Sequence, residues 1–147
     1  MSSRDAVTDL VVETFRLNGR LLAAGDALIG DIGLTSARWQ VLGAMALSPV
    51  PLPVAHIARN MGLTRQAVQR LVNELARDGF VRFGPNPHHQ RAQLVILAPR
   101  GRAAYDAAMK RQAPWASRLA QGLNAKQIEA ATVVLRTIRQ RLDDSPK

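Results

Sequence analysis

The sequence predicts a mainly α-helical fold with one small β-hairpin, and three observations carry that prediction. Apolar residues recur at helical spacing through both ends of the chain. Between them, Val54 to Asn73 (VAHIARNMGLTRQAVQRLVN) orders its small, apolar and polar positions as two short helices crossed at a tight turn require. Just beyond, two apolar, β-prone runs flank Gly84-Pro85-Asn86-Pro87-His88-His89-Gln90-Arg91, a segment dense in turn formers. Together these read as a winged helix-turn-helix lobe held between terminal helices.

From Asp5 to Gly30, the residues Val7, Leu10, Val11, Phe15, Leu21, Leu22 and Leu28 alternate with Asp9, Glu13, Arg16 and Arg20, which predicts a long amphipathic helix with a break near Gly25. Thr35 is placed to cap a second helix through Ala37, Trp39, Val41, Leu42, Met45 and Leu47. The proline-rich stretch Ser48 to Pro53 ends it. In the helix-turn-helix, Ile57, Met61, Leu63, Val68 and Leu71 are the expected buried positions, and Ala58 is the small residue where the helices touch. Gly62 makes the turn, where a side chain would obstruct the crossing, and Thr64 caps the second helix. That helix stops at Gly79.

Phe80 to Phe83 and Ala92 to Leu97 form the hairpin, with His88, His89, Gln90 and Arg91 at its tip. A helix resumes after Pro99 and Gly101 through Ala104, Ala108, Trp115 and Leu119, and Gly122 ends it. Asn124 caps the last helix, with Gln127 completing a capping box. Its Ile128, Ala131, Leu135, Ile138 and Leu142 form an apolar stripe that suits either internal core or contact with a second subunit.

Charge points to a polyanion partner. The 147 residues carry a formal net charge of +9, and it is unevenly placed. Leu52 to Arg102 holds eight arginines against Glu74 and Asp78, a net +6 in about a third of the chain; the remainder, with twelve basic and nine acidic residues, reaches only +3. Arginine outnumbers lysine seventeen to three, which suits bidentate contacts and equally reflects a GC-rich coding sequence. With no cysteine, disulfides and thiolate chemistry are excluded. Prolines 49, 51 and 53 interrupt the uncharged run from Trp39 to Ala58, so no membrane span is expected. The N-terminus lacks an apolar signal core, and the expectation is a soluble, cytoplasmic protein.

The expected nucleic-acid contacts follow from residue type. Gln66 and Gln69 suit the bidentate contact to adenine, and Arg65 and Arg70 suit guanine or phosphate, with Asn73 on the same face. Thr64, Arg77 and Arg82 suit phosphate, which sets register without reading sequence. His88, Gln90 and Arg91 extend the set onto the hairpin. Adjacent His88 and His89 with no nearby acid make a poor metal set, and His56 is expected to be structural. No paired-carboxylate site, G-x-S-x-G, phosphate-cradling glycine loop or H-E-x-x-H occurs, so neither catalysis nor a cofactor or metal is expected.

The order of elements resembles the MarR family of bacterial transcription regulators over nearly all of the chain. The resemblance rests on Leu34-Thr35 with Trp39 and Leu42, Ile57-Ala58, Gly62-Leu63-Thr64, Leu71 through Leu75 to Asp78-Gly79-Phe80-Val81, and Leu97 with Pro99 and Gly101. It implies one MarR-like domain over 1–147, with dimerisation helices at 5–33 and 102–144 and a winged helix-turn-helix lobe at 35–101 whose wing is 80–98. It further implies a homodimer that binds double-stranded DNA at a pseudo-palindromic operator, as a repressor released by a small aromatic or phenolic effector. Arg16, Trp39 and Met45 are the expected effector contacts. By the same resemblance Arg91 reaches the minor groove, but the family's Asp-Arg-Arg type wing sequence is here His89, Gln90 and Arg91, without the acid. The competing reading is an architectural protein that binds nucleic acid without sequence preference.

Overall fold

The computed structural model describes residues 1–145. The described residues form six helices and three strands in the order α1 (Ser3–Ile29), a 3₁₀ turn (Gly30–Ile32), α2 (Ser36–Ala46), β1 (Leu52–Pro53), α3 (Val54–Met61), α4 (Arg65–Arg77), β2 (Val81–Gly84), β3 (Leu94–Leu97), α5 (Pro99–Leu119) and α6 (Ala125–Asp143). The expected mainly α fold with a small wing is what the chain adopts. It divides into two compact units, Met1–Gln112 and Ala113–Lys147.

Within the first unit the core lies where α2, α3, α4 and the sheet converge, and Leu42, Ile57, Val68, Val72, Leu75 and Val95 are wholly excluded from solvent. Of the positions expected to be buried in the helix-turn-helix, Ile57 and Val68 are, whereas Met61 and Leu71 are half-buried and Leu63 is 44% exposed. Val72 and Leu75 take the missing places, because the stripe of α4 that faces the core runs Val68, Val72, Leu75 at the four- and three-residue steps of a helix. Gly62 adopts φ +68° with open space around its Cα. Its necessity is therefore the left-handed backbone, and no side-chain clash is involved.

The hairpin is a three-stranded sheet, order β1-β3-β2, all antiparallel. Leu52 pairs with Val95 on one side of β3, and Phe83 pairs with Val95 on the other. Strand β1 was not legible in the sequence, since two residues ending in a proline carry no alternation. Strand β3 is shorter than the run Ala92 to Leu97 suggested, and β2 lies one residue beyond the run Phe80 to Phe83.

Helix α1 is unbroken at Gly25, contrary to expectation, and the glycine has another purpose. A Cβ there would overlap the Ser36 hydroxyl. Ser36, the buried polar side chain of this core, donates its hydroxyl to the Leu22 carbonyl (2.7 Å), and its backbone N–H donates to Asp26 Oδ1 (2.7 Å). The missing side chain thus lets α2 begin against α1 with its first polar groups satisfied. Helix α1 also starts earlier than expected, at a capping box in which Ser2 and Asp5 serve each other's backbone. Asn124 caps α6 through the Lys126 and Gln127 N–H groups, with no return bond from the Gln127 side chain among the described residues.

Arg111 of α5 ties the 3₁₀ turn down. Its guanidinium donates to both carboxylate oxygens of Asp31 and to the Leu28 carbonyl (3.1 Å). That hydrogen bond, with the guanidinium charge, holds the Asp31 carboxyl below the usual carboxylate range.

The second unit and the outer face of the first leave apolar surface uncovered. Helix α6 buries no residue, the stripe Ile128, Ala131, Leu135, Ile138 and Leu142 included. On α1, Val7, Val11, Val12, Phe15, Leu17 and Leu21 are exposed, Phe15 to 75%.

Alanine is the better helix former by about 1 kcal/mol, yet Gly25→Ala is expected to destabilise the chain by about 1–3 kcal/mol, because the new methyl must displace Ser36. Urea unfolding monitored by circular dichroism gives the sign. For Asp31, a folded-state pKa below the unfolded one means that its bond to Arg111 stabilises above the ordinary carboxylate pKa and is lost as pH falls through the lowered value. Asp31→Asn should therefore lower the melting temperature at pH 7, with the gap to the native chain closing below about pH 4.

Candidate nucleic-acid interface

Helix α4 is amphipathic, with Val68, Val72 and Leu75 buried on one face and polar side chains along the other. Thr64 opens it by accepting the Ala67 N–H on its hydroxyl (3.1 Å), and Gly79, at φ +83°, turns the chain away after Asp78. With Val68, Val72 and Leu75 in the core, the helix periodicity places Gln66, Gln69, Arg70, Asn73, Glu74 and Arg77 along a single open cleft. Gln69 donates its amide to Asn73 Oδ1 (2.9 Å). One Nε2 hydrogen and Oε1 stay free, the pair that the bidentate contact to adenine uses, and the bond to Asn73 orients the amide plane.

The base of the wing meets the first turns of α4. A second cleft, about 370 Å³, is bounded by Arg65, Gln66 and Gln69 from α4, by Pro53, Val54 and Ala55 at the start of α3, and by Phe83, Arg91, Ala92 and Gln93 from the wing. Four of the residues singled out from the sequence, Arg65, Gln66, Gln69 and Arg91, are thereby brought to one opening that holds no acid. Gln93 and the α3 start belong to it too and were missed. Nothing local in the sequence marks them, because the antiparallel pairing of β3 with β1 is what brings them in.

The other singled-out residues stand around this centre. Thr64 sits exposed at the α4 cap, Arg82 is exposed on β2, and His88 and Gln90 are exposed on the wing loop. Without the family's acid, the loop is organised by Asn86, whose side chain accepts the His88 N–H (3.0 Å) while its carbonyl accepts the His89 N–H (3.3 Å). A further turn joins the Ala92 N–H to the His89 carbonyl (3.3 Å). These bonds close the loop without reaching the Arg91 side chain, whose guanidinium has no carboxylate partner among the described residues.

The charge of the lobe is sharpened by one pairing. Glu74 and Asp78, its two acids, are both held by Arg38 of α2, at 3.2 Å each. Arg65, Arg70, Arg82 and Arg91 have no acidic partner among the described residues. No three His, Asp or Glu side chains of the described residues converge as a metal set, and no helix among them is long and apolar enough to cross a membrane.

Arg16, Trp39 and Met45 differ in exposure. Arg16 is exposed and paired with Glu13 (3.0 Å), Trp39 is half-buried against the core, and Met45 is buried. Met45 does border a cleft with Pro49, Val95 and Arg102, but neither Arg16 nor Trp39 lines it.

Comparison with known proteins gives a consistent picture. A MarR family model matches residues 32–92, the span from the 3₁₀ turn to the wing. An uncharacterised protein of Mycobacterium tuberculosis is 33% identical over 132 residues, which covers 90% of this chain and 91% of that protein. The transcriptional activatory protein BadR of Rhodopseudomonas palustris is 33% identical over 99 residues, 66% of this chain and 57% of BadR. Among solved structures, CouR from Rhodococcus jostii RHA1, bound to p-coumaroyl-CoA, superposes with a TM-score of 0.78 at 22% identity, over 88% of this chain and 91% of CouR.

Thr64→Ala removes the cap of α4 and is expected to cost about 1 kcal/mol of stability. The loosened helix start should show as faster amide exchange at Arg65, Gln66 and Ala67, leaving the Ile57 and Leu42 amides protected.

Proposed function

We infer that this chain, which belongs to the MarR family of winged helix-turn-helix transcription regulators, works as a homodimer that reads a pseudo-palindromic DNA operator and represses from it. The observation that carries this reading is the acid-free opening shared by Arg65, Gln66, Gln69 and Arg91. A recognition helix in the major groove and a wing on the flanking backbone or minor groove require such convergence. Gln66 and Gln69 then read base edges, Arg65, Arg70 and Asn73 support them, and Thr64, Arg77, Arg82, His88 and Gln90 contact the sugar-phosphate backbone. Arg91 enters the minor groove.

A dimer is supported by apolar surface that one chain leaves open, at Phe15 and Leu21 on α1 and at Val134, Leu135 and Leu142 on α6. Segments 5–33 and 102–144 are accordingly the dimerisation helices, and 35–101 the DNA-binding lobe. Two half-sites about 10 base pairs apart follow from that symmetry. A ligand favouring a dimer with the wrong lobe spacing would release DNA by population shift. Aromatic carboxylates or phenols are the proposed class, with Arg16 meeting the anion and Trp39 and Met45 the ring. CouR, with its p-coumaroyl-CoA, supports an aromatic acyl group as the moiety to try first. BadR, an activatory protein by name, supports the opposite sign of regulation as the second reading.

Selection of bound sequences from a random duplex pool tests the core of the proposal: a symmetric consensus with two half-sites is expected, and no enrichment would leave only the architectural reading. With the consensus in hand, Gln69→Ala should cost about 1–3 kcal/mol against one base per half-site and relax the preference there. Arg91→Ala should weaken all sequences alike and reduce the salt slope by about 1 per half-site. Equal losses on every sequence for both variants would refute the division of labour. Trp39 fluorescence in a Trp115→Phe background, titrated with aromatic carboxylates alongside operator affinity, tests the effector; indifference of both signals rejects it.

A further inference from the structure

Arg38 lies outside both clefts described above, yet it contacts the recognition helix at two points. Its Nε and Nη2 donate to Glu74 Oε2 (3.4 and 3.2 Å), and its Nη1 donates to Asp78 Oδ2 (3.2 Å) and to the Gly33 carbonyl (3.4 Å). The guanidinium is only 18% exposed, while the two carboxylates are 32% and 37% exposed. Glu74 borders the same cleft as Gln66, Gln69, Arg70, Asn73 and Arg77, and the sequence places Asp78 one turn further on.

We propose that Arg38 is a positioning residue for DNA binding that works as a charge mask, neutralising the lobe's two acids, one of which borders the DNA-facing cleft of α4. The proposal rests on the reading of that side as the face presented to DNA. A duplex approaching it meets a dense row of phosphates, and an unpaired carboxylate there repels them across low-dielectric protein. A planar guanidinium can hold two carboxylates and a carbonyl at once because its donors fan out in a fixed plane. The anchor on Gly33 comes from the segment that joins α1 to α2, so the arginine is held from the scaffold side and leaves the reading face clear. The sequence shows both acids and the arginine, but a separation of some forty positions gives no local sign of the pairing.

A double-mutant cycle on the full-length protein tests the mask, with affinity for the selected duplex measured for the native chain, Arg38→Gln, Glu74→Gln/Asp78→Asn, and the triple variant. Arg38→Gln is expected to weaken binding about tenfold. Removing both acids should change affinity less than about threefold when Arg38 is present, and should restore binding to near the native level when it is absent. A triple variant as weak as Arg38→Gln, at matched melting temperature, would mean that the arginine braces α4 mechanically, and the mask would be refuted. An equal gain on removing the acids in both backgrounds would also refute it, since the acids would then repel DNA whether or not Arg38 holds them. If Arg38→Gln fails to fold, Arg38→Lys with and without Glu74→Gln/Asp78→Asn decides: affinity within about threefold of native, or a loss that removing the acids relieves, supports the mask, and a loss that persists without the acids overturns it. Native protein that binds no duplex at all would end both this proposal and the function inferred above, whereas binding without coupling would end only this one.

Discussion

A helix that offers a row of amides and guanidinia to solvent can be held still only by what it buries on its other side. For α4 that is Val68, Val72 and Leu75, each with no exposed surface, set against Leu42, Ile57 and Val95 from three other elements. Burial of three such side chains stabilises by roughly 1.5–3 kcal/mol apiece. The larger effect is geometric, because a packed apolar face permits one rotation of the helix about its axis. Turn α4 by one residue and Val68 leaves the core while Gln69 enters it, a polar amide without a partner. The reading face is thus defined by exclusion: its residues are those the core cannot accept.

Much of this was legible in the sequence because it is local. The caps at Thr35, Thr64 and Asn124, the turn at Gly62 and the stop at Gly79 are short-range chemistry, and each appears where residue type placed it. The candidate face on α4 was legible for the same reason, since helical periodicity alone sorts Gln66 and Gln69 from Val68. What could not be read depends on partners far along the chain. Gly25 looked like a helix breaker, but its role is set by Ser36 across a helix crossing. Leu63 looked like core, yet the backbone leaving Gly62 carries it outward. Strand β1 exists only because β3 passes beside it, and Gln93 joins the site only through that pairing.

The polar links have a common logic. Arg111, Ser36 and Arg38 each join an element to the 3₁₀ turn or to the helices on either side of it. The turn is short and ends at Gly33 in the left-handed region, with little apolar burial of its own. Hydrogen bonds therefore do there what side-chain packing does in the core. They are directional, so they fix the angle between α1 and α2 where apolar contact would allow sliding.

Strand β1 is only two residues long, but it has a consequence for how the chain is made. Leu52 leaves the ribosome well before Val95, the residue it pairs with. Helices α2, α3 and α4 can form and pack as they emerge, because their contacts are close in sequence. The sheet cannot close until synthesis has passed β3, and until then Leu52 and the inner side of the wing strands lack their cover. The nascent chain thus gathers its helices before the edge that seats the wing against α3 can close. Truncation before Leu97 would be expected to leave that edge open and sticky, and even a closed sheet still waits for α5, whose Ala104 and Ala108 complete the core.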